Sequence, residues 1–214
     1  MAIKHIYLVR HGETSGNHAW VHQSLDVSLD ERGRHQAESA ASVLAALPID
    51  TLITSDAQRA QETAEIIARA THIAPRALSL LRELRRAKSV DGTHILGFTS
   101  VVNSILLYIH SGNRAWHYGD GENLQELRDR AREALALLAR EPGEHIVVVS
   151  HREFINSILF GVRHGFDSSM TRFAFTVELS MLHNGSITEL TYDPFRACPW
   201  HVISSGCAHC KCGL

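Results

Sequence analysis

The sequence predicts an α/β fold on a mostly parallel sheet with a small inserted lid, and three observations carry that expectation. Short apolar runs suited to buried strands, Ile3-Lys4-His5-Ile6-Tyr7-Leu8-Val9, Thr51-Leu52-Ile53-Thr54 and Ile146-Val147-Val148-Val149, are rich in β-branched residues. Helical spacing alternates with them, and strand, helix, strand, helix is the order that gives parallel strands joined by right-handed crossovers. Residues 87–120 interrupt the alternation with poor periodicity, and a connection of that length in a compact domain tends to be functional.

The first strand runs straight into Arg10-His11-Gly12. Ligands of open α/β sheets bind where strands end, so Arg10 and His11 stand at the site-forming edge. A cation beside an imidazole suits an anionic ligand, and the free N–H groups of a turn after Gly12 suit phosphate. Residues 17–27 read as loop. Asp30 then offers an N-cap, and Ala37, Ala40, Ala41, Leu44 and Leu47 repeat at helical spacing until Pro48. After the second strand, Ser55 and Asp56 read as capping residues for a helix with Ala60, Ala64, Ile67 and Ala68 on one face. Arg59 falls in its first turn, on the same edge as His11, where a helix N-terminus favours anions.

Residues 76–81 read as a weak strand leading into Leu81-Arg82-Glu83-Leu84-Arg85-Arg86. Arg82, Arg85 and Arg86 around Glu83 read as a solvated basic face, the other reading being a contact to a second anionic group of a substrate. Within the lid, residues 100–110 read as helix, and Ser111-Gly112-Asn113 and Gly119-Asp120-Gly121 as turns. Asn123 with Glu126 makes a capping-box start for an amphipathic helix carrying Leu124, Leu127, Ala131, Leu135 and Leu138, and Pro142-Gly143 ends it. The strand at 146–149 leads into Ser150-His151 and a helix over 153–160. Residues 173–179 and 186–192 read as strands joined by a hairpin-type turn at His183-Asn184-Gly185.

Composition narrows the function classes. A formal net charge of −2 gives no footprint for nucleic acid, and no apolar run approaches the ~18 residues of a membrane span. The start reads without the basic-then-apolar design of a signal peptide, so a cytoplasmic protein is expected, with neither nucleic acid nor membrane as partner. Cys198, Cys207, Cys210 and Cys212 are bunched at the end, whereas a disulfide framework spreads its cysteines through the fold. Cys207-Ala208-His209-Cys210-Lys211-Cys212 looks like half of a zinc site that Cys198 or His201 would complete; a flexible thiol-bearing tail is the alternative. The expected organisation is a catalytic domain over 1–192, with 87–120 as its lid, and a Cys-containing tail over 193–214.

Arg10, His11, Asn17, Arg59, Glu83 and His151 thus collect at one edge of the expected sheet. Two histidines, two arginines and a carboxylate form a kit for phosphoryl transfer. Guanidinium forks bind phosphoryl oxygens, a neutral imidazole can attack phosphorus, and a carboxyl can protonate the departing alcohol. Which histidine attacks is left open by spacing alone.

Arg10-His11-Gly12-Glu13-Thr14 with Asn17 resembles the signature of the histidine phosphatase superfamily, the phosphoglycerate-mutase-like proteins. The resemblance continues through Asp26, Leu29, Gly33 and Gln36-Ala37, then through the second arginine motif from Ser55 to Ala64. It extends to Leu81-Arg82-Glu83, Gly121-Glu122 and Ser150-His151, and so spans the chain up to Tyr192. It implies a three-layer α/β/α sandwich, His11 as nucleophile, Glu83 as proton donor, and Arg10, Asn17, Arg59 and His151 as the phosphate pocket, with no metal or other cofactor. Four positions depart from the family's usual pattern: Arg152-Glu153 where Gly-Gly is usual, Val21 where arginine is frequent, and Ser28 where proline is. Arg152 would narrow the pocket or add a cation to it.

The expected activity is hydrolysis of a small phosphomonoester. A phosphoglycerate mutase is the alternative enzyme, and it usually carries a longer segment between the acid and the Gly-Glu motif; a short lid gives water better access to a phosphoenzyme. A non-catalytic phosphate-binding or scaffold protein on the same fold is the alternative from another class.

Overall fold

The apolar runs pair as parallel neighbours in a computed structural model that describes residues 2–207. Strands β1 (Lys4–Arg10), β2 (Thr51–Thr54), β3 (Pro75–Ala77) and β4 (His145–Ser150) are mutually parallel, and β5 (Ile187–Tyr192) and β6 (Trp200–Cys207) extend the sheet on the other side of β1. The order is β3-β2-β4-β1-β5-β6, with β5 antiparallel to both β1 and β6.

Period-two alternation along the central strands builds the layers. Ile6 and Leu8 of β1 and Ile146 and Val148 of β4 point to one face. There they meet Leu127 and Leu138 of α5 (Leu124–Arg140), Phe154 and Ile158 of α6 (Arg152–His164) and Phe173 of α7 (Met170–Leu179). The intervening Tyr7, Val9, Val147 and Val149 point to the other face, against the alanine-rich sides of α2 (Glu31–Leu44) and α3 (Gln58–Thr71). Small alanines bring those two helices close to the sheet, and each fully buried leucine, isoleucine or phenylalanine contributes about 1.5–3 kcal/mol. A slip of one residue in β1 or β4 would exchange the two cores.

Local signals explain the element ends. Asp30 caps α2 by accepting from the N–H of Gly33 at 2.7 Å, and Asn123 with Glu126 forms the capping box of α5. Gly33 and Gly12 are needed for close approach. A Cβ on Gly33 would lie 2.0 Å from the Glu13 carbonyl oxygen, and one on Gly12 would lie 2.2 Å from that of Gly33. The start of α2 therefore seats directly on the loop that follows β1.

Several elements differ from the sequence reading. Residues 173–179 are helical, not extended: Ser169 caps the helix, and Phe173, Ala174 and Val177 fall on one buried face, a pattern that a seven-residue apolar run does not separate from a strand. His183-Asn184-Gly185 consequently joins a helix to β5 rather than two strands. The loop expected from residue 17 overlaps a one-turn helix, α1 (Ser15–His18), closed by a Thr14–Asn17 capping box. The N-cap of α3 is Ala57, and Ser55 and Asp56 precede it. The weak strand shrinks to β3 and a 3₁₀ turn at Ser79–Leu81. Within residues 87–120 the helix is α4 (Phe98–Ile109). β6 arises within residues read as tail. Of the zinc-like set, Cys198 is an exposed free thiol, and His209, Cys210 and Cys212 lie outside the described residues.

Candidate active site

Register brings the two histidines together. Arg10 pairs with Ser150 across β1 and β4, so the next residues, His11 and His151, leave adjacent parallel strands side by side. Their rings are 5.0 Å apart between centroids, and the His11 N–H donates to the Ser150 carbonyl at 3.0 Å. β2 lies on the other side of β4. The chain emerging from it supplies Ser55 and, one step into α3, Arg59.

Arg59 bridges both imidazoles. Its Nε donates to His11 Nε2 at 3.3 Å, one Nη faces His151 Nδ1 at 3.4 Å, and the other donates to the Ser24 carbonyl at 2.8 Å. These contacts fix the tautomers. His11 Nδ1 lies 2.7 Å from the Gly12 carbonyl, which only an N–H can satisfy, so Nε2 carries the lone pair. His151 Nε2 lies 2.9 Å from the Ser55 hydroxyl, leaving Nδ1 to accept from Arg59. Burial, and after it the charge of Arg59, pushes both histidines well below the ordinary 6.5, so both are neutral at neutral pH.

Arg10 donates through Nη1 to the Leu182 carbonyl, while its buried Nε has no hydrogen-bond partner among the described residues. Burial lowers its pKa to about 10, which still leaves it charged. Asn17 is held by the turn before β5: Asn184 Nδ2 donates to Asn17 Oδ1 at 3.3 Å and to the His11 carbonyl at 3.0 Å.

Glu83 enters from the chain beyond β3. Its carboxylate accepts from the N–H groups of Glu153 at 3.2 Å and Phe154 at 3.0 Å, in the first turn of α6, and from Leu84 at 3.2 Å. Burial and the neighbouring Glu153 carboxylate raise its pKa, against the pull of Arg152 and of those N–H donors. The segment is clamped from behind by Arg130, which donates to the carbonyls of Leu80 at 2.9 Å, Arg82 at 2.6 Å and Glu83 at 3.2 Å. Arg130 also pairs with Glu122 at 2.7 Å, and Glu122 accepts from the Arg85 N–H. The Gly121-Glu122 motif thus acts on the backbone that carries Glu83.

All six residues singled out from the sequence, Arg10, His11, Asn17, Arg59, Glu83 and His151, belong to this cluster or line its cleft. Ser55 and Asn184 were not among them. In the sequence Ser55 reads as a cap and as the first residue of the second arginine motif, and Asn184 as a turn residue; strand-end and turn positions are the signals for them. The basic face around Glu83 is solvated in part: Arg85 is exposed and Arg82 half-exposed, whereas Arg86 is not. Arg86 is buried against Glu153 at 2.8 Å and Glu178 at 3.2 Å, and Arg82 forks onto Asp56. Arg152 pairs with Glu153 at 2.9 Å.

A cavity of about 1080 Å³ opens over the cluster, lined at one end by Arg10, His11, Arg59 and Glu83 and further out by the 87–120 segment. Neutral imidazole lone pairs, guanidiniums and a carboxyl with a raised pKa, at the C-terminal ends of parallel strands, define a site for binding and transferring an anionic group.

Sequence comparison assigns the class directly: residues 6–199 match the family profile of the histidine phosphatase superfamily (branch 1), and the chain belongs to that superfamily. Among its relatives, the probable phosphoglycerate mutase GpmB of Cronobacter sakazakii is 30% identical over 205 residues, covering 94% of this chain and 92% of that protein. The namesake protein of Citrobacter koseri is 34% identical over 148 residues, 68% of each chain. Among solved structures, a mycobacterial glucosyl-3-phosphoglycerate phosphatase in complex with VO3 superposes with a TM-score of 0.76 at 24% identity, covering 95% of this chain and 98% of that one. A phosphoserine phosphatase mutant from Entamoeba histolytica, in complex with phosphoserine, gives 0.77 at 21% identity, covering 96% and 98%. At these identities the two structures speak to the fold. Among the described residues, no helix is long and apolar enough to cross a membrane.

Proposed function

We propose that the protein is a phosphatase that hydrolyses a small phosphomonoester through a phosphohistidine on His11. The observation that carries this reading is the His11 imidazole itself: Nδ1–H is fixed on the Gly12 carbonyl and the Nε2 lone pair is turned toward Arg59 at 3.3 Å. Nε2 attacks phosphorus as the bond to the ester oxygen breaks, and Glu83 delivers its proton to the departing alkoxide. Water then attacks the phosphohistidine, its proton returns to Glu83, and inorganic phosphate leaves with His11 regenerated. Arg10, Arg59, Asn17 and His151 hold the phosphoryl oxygens, and the two guanidiniums offset charge that grows on them in flight. The raised pKa of Glu83 supports its place as the acid, since it holds a proton at a pH where an ordinary glutamate has lost it.

The test is to quench turnover of a ³²P-labelled phosphomonoester with alkali, which preserves phosphohistidine. Label is expected on His11 in the wild type and absent in His11→Ala, with hydrolysis in that variant lowered by about 10⁴-fold or more. Hydrolysis without label on His11 overturns the mechanism. A second reading, a phosphoglycerate mutase, is favoured by the names of the relatives at 30–34% identity. Isomerisation of phosphoglycerate in the presence of bisphosphoglycerate, faster than ester hydrolysis, would establish that reading in place of the first.

A further inference from the structure

The far wall of the cleft is apolar although it faces water. Trp20, Leu96, Ile105 and Met181 are 56%, 72%, 52% and 72% exposed, and all four line the cleft that holds His11 and Arg59. Val101 joins them from the same face of α4 as Ile105. Exposed apolar side chains gathered around one cleft mark a binding groove rather than ordinary surface.

The wall grows out of the phosphate end along two stretches of chain. On one side, the Trp20 N–H donates to the Asn17 carbonyl at 3.2 Å, and the Trp20 carbonyl accepts from Ile95 at 2.7 Å, so the chain around Asn17 is stitched to the start of the wall at Ile95 and Leu96. On the other, Leu182, whose carbonyl receives Arg10, is preceded directly by Met181. These side chains therefore flank the space next to a phosphate seated on Arg10 and Arg59.

Most of the guanidinium charge at that end is already paired. Arg32 pairs with Glu13 at 3.3 Å, Arg82 with Asp56, Arg86 with Glu153 and Glu178, and Arg152 with Glu153. Arg85 and Lys88 stand exposed at the rim. A carboxylate laid along the wall would meet apolar side chains and guanidiniums that already have partners, outside the reach of Arg85 and Lys88 at the rim.

We propose that the cleft selects phosphomonoesters whose alcohol part is a bulky apolar group, aryl or medium-chain alkyl, packed on Trp20, Leu96, Val101, Ile105 and Met181; this rests on the reading of the phosphate end given above. Substrates of the polar, carboxylate-bearing kind are disfavoured.

Binding and turnover separate the two readings. Ethyl-, butyl-, hexyl- and octylphosphonate carry a C–P bond that cannot be hydrolysed, and their affinity for the wild-type protein is read by calorimetry below their micelle concentrations. Kd is expected to fall about two- to fourfold for each added methylene up to the length of the wall. Leu96→Asp and Ile105→Asp, at exposed positions that spare the core, are expected to flatten that gradient. The matching alkyl phosphates, assayed in parallel for release of inorganic phosphate, should show kcat/KM rising with chain length and exceeding that for 3-phosphoglycerate by at least tenfold. A flat Kd series overturns the apolar preference, and so does a gradient that both variants leave intact. A graded Kd series with no ester hydrolysed keeps the apolar wall and overturns the phosphatase reading instead.

Discussion

His11 and Leu96 line the same cleft yet are held in opposite ways. His11 is 3% exposed, its two ring nitrogens each have a partner, and its backbone is tied to Ser150 on the neighbouring strand. Leu96 is 72% exposed, in a segment tied in by backbone hydrogen bonds between 20–22 and 92–95 and by side-chain bonds of Ser100, Asn103 and Ser104, none of which involves Leu96 itself. Phosphoryl chemistry needs donors fixed to a fraction of an ångström before the charge moves, and strand ends in register with a buried hydrogen-bond net supply that. Recognition of an apolar group needs only area, which a mobile-tolerant surface can supply. The inner side chains are buried and over-determined and the outer wall's are exposed, so substitutions in the two regions should differ in kind as well as in size.

The sharpest break of that contrast comes from Arg59. Arg59→Met keeps much of the volume but removes the donor to His11, the contact to His151 and, on the proposed mechanism, a cation for the phosphoryl group. The expected result is a fall in kcat of about 10³-fold, the scale of losing one preorganised donor to a developing anion. The remaining activity should require more alkaline conditions on its acid limb, because Arg59 is the second cause, after burial, of the low pKa of His11. Steady-state kinetics over a pH series checks both effects; a loss confined to KM would mean that Arg59 only binds.

Glu122 probes the inner region at a distance from the substrate. It fixes Arg130, which in turn holds the carbonyls of residues 80, 82 and 83. Glu122→Gln should lower kcat about ten- to hundredfold with little change in KM, since on the proposed mechanism a displaced Glu83 costs proton delivery and not binding. An unchanged kcat would show that the Glu83 carboxylate is placed by the N–H groups of α6 without the clamp.

The same division decides what was legible in the sequence. His11, Arg59 and His151 could be read because each follows a strand with its apolar run intact, and strand ends of a parallel sheet share an edge. Asn184 could not, because it reaches His11 through a turn far along the chain whose destination depends on α7 being a helix. That helix reads as a strand because Phe173, Phe175 and Val177 also alternate as a strand does. β6 was missed because its sequence, Trp-His-Val-Ile-Ser-Ser-Gly-Cys, has little patterning of its own and forms by pairing with β5. Ion pairs such as Arg86 with Glu153, 67 residues apart, are invisible to any local reading. The apolar wall is likewise a product of tertiary placement, since Leu96 and Ile105 look like core residues until their exposure is known.

Acid should expose the inner region before the outer. His11 and His151 have folded pKa values below the ordinary 6.5, so the unfolded chain binds more protons than the folded one once pH falls through about 6.5. Their contribution to stability is full above that value and is lost on the way down to the lowered pKa values, each at up to about 1.4 kcal/mol per pH unit. Glu83 works in the other sense: its raised pKa adds stability below the ordinary glutamate range, lost as pH rises through the raised value. Two histidines outweigh one glutamate, so the urea midpoint should fall between about pH 7.5 and about pH 5.5. In His11→Gln/His151→Gln the fall should disappear or reverse, leaving the Glu83 slope. An unchanged slope in that variant would assign the acid sensitivity to other groups.

The smallest expected effect belongs to the outer wall. Leu96 is 72% exposed and its side chain contributes to neither core cluster, so Leu96→Asp removes almost no buried area and strands no buried donor. Its N–H, which donates to His94 Nδ1 at 3.1 Å, is backbone and survives the change. Unfolding free energy should therefore move by no more than about 0.5 kcal/mol, the range of surface substitutions away from special features. Urea denaturation of the variant beside the wild type measures it. A loss of about 2 kcal/mol or more would mean that Leu96 is packed in solution and that the 87–120 segment closes over the cleft without a ligand, which would erase the contrast between the two ends.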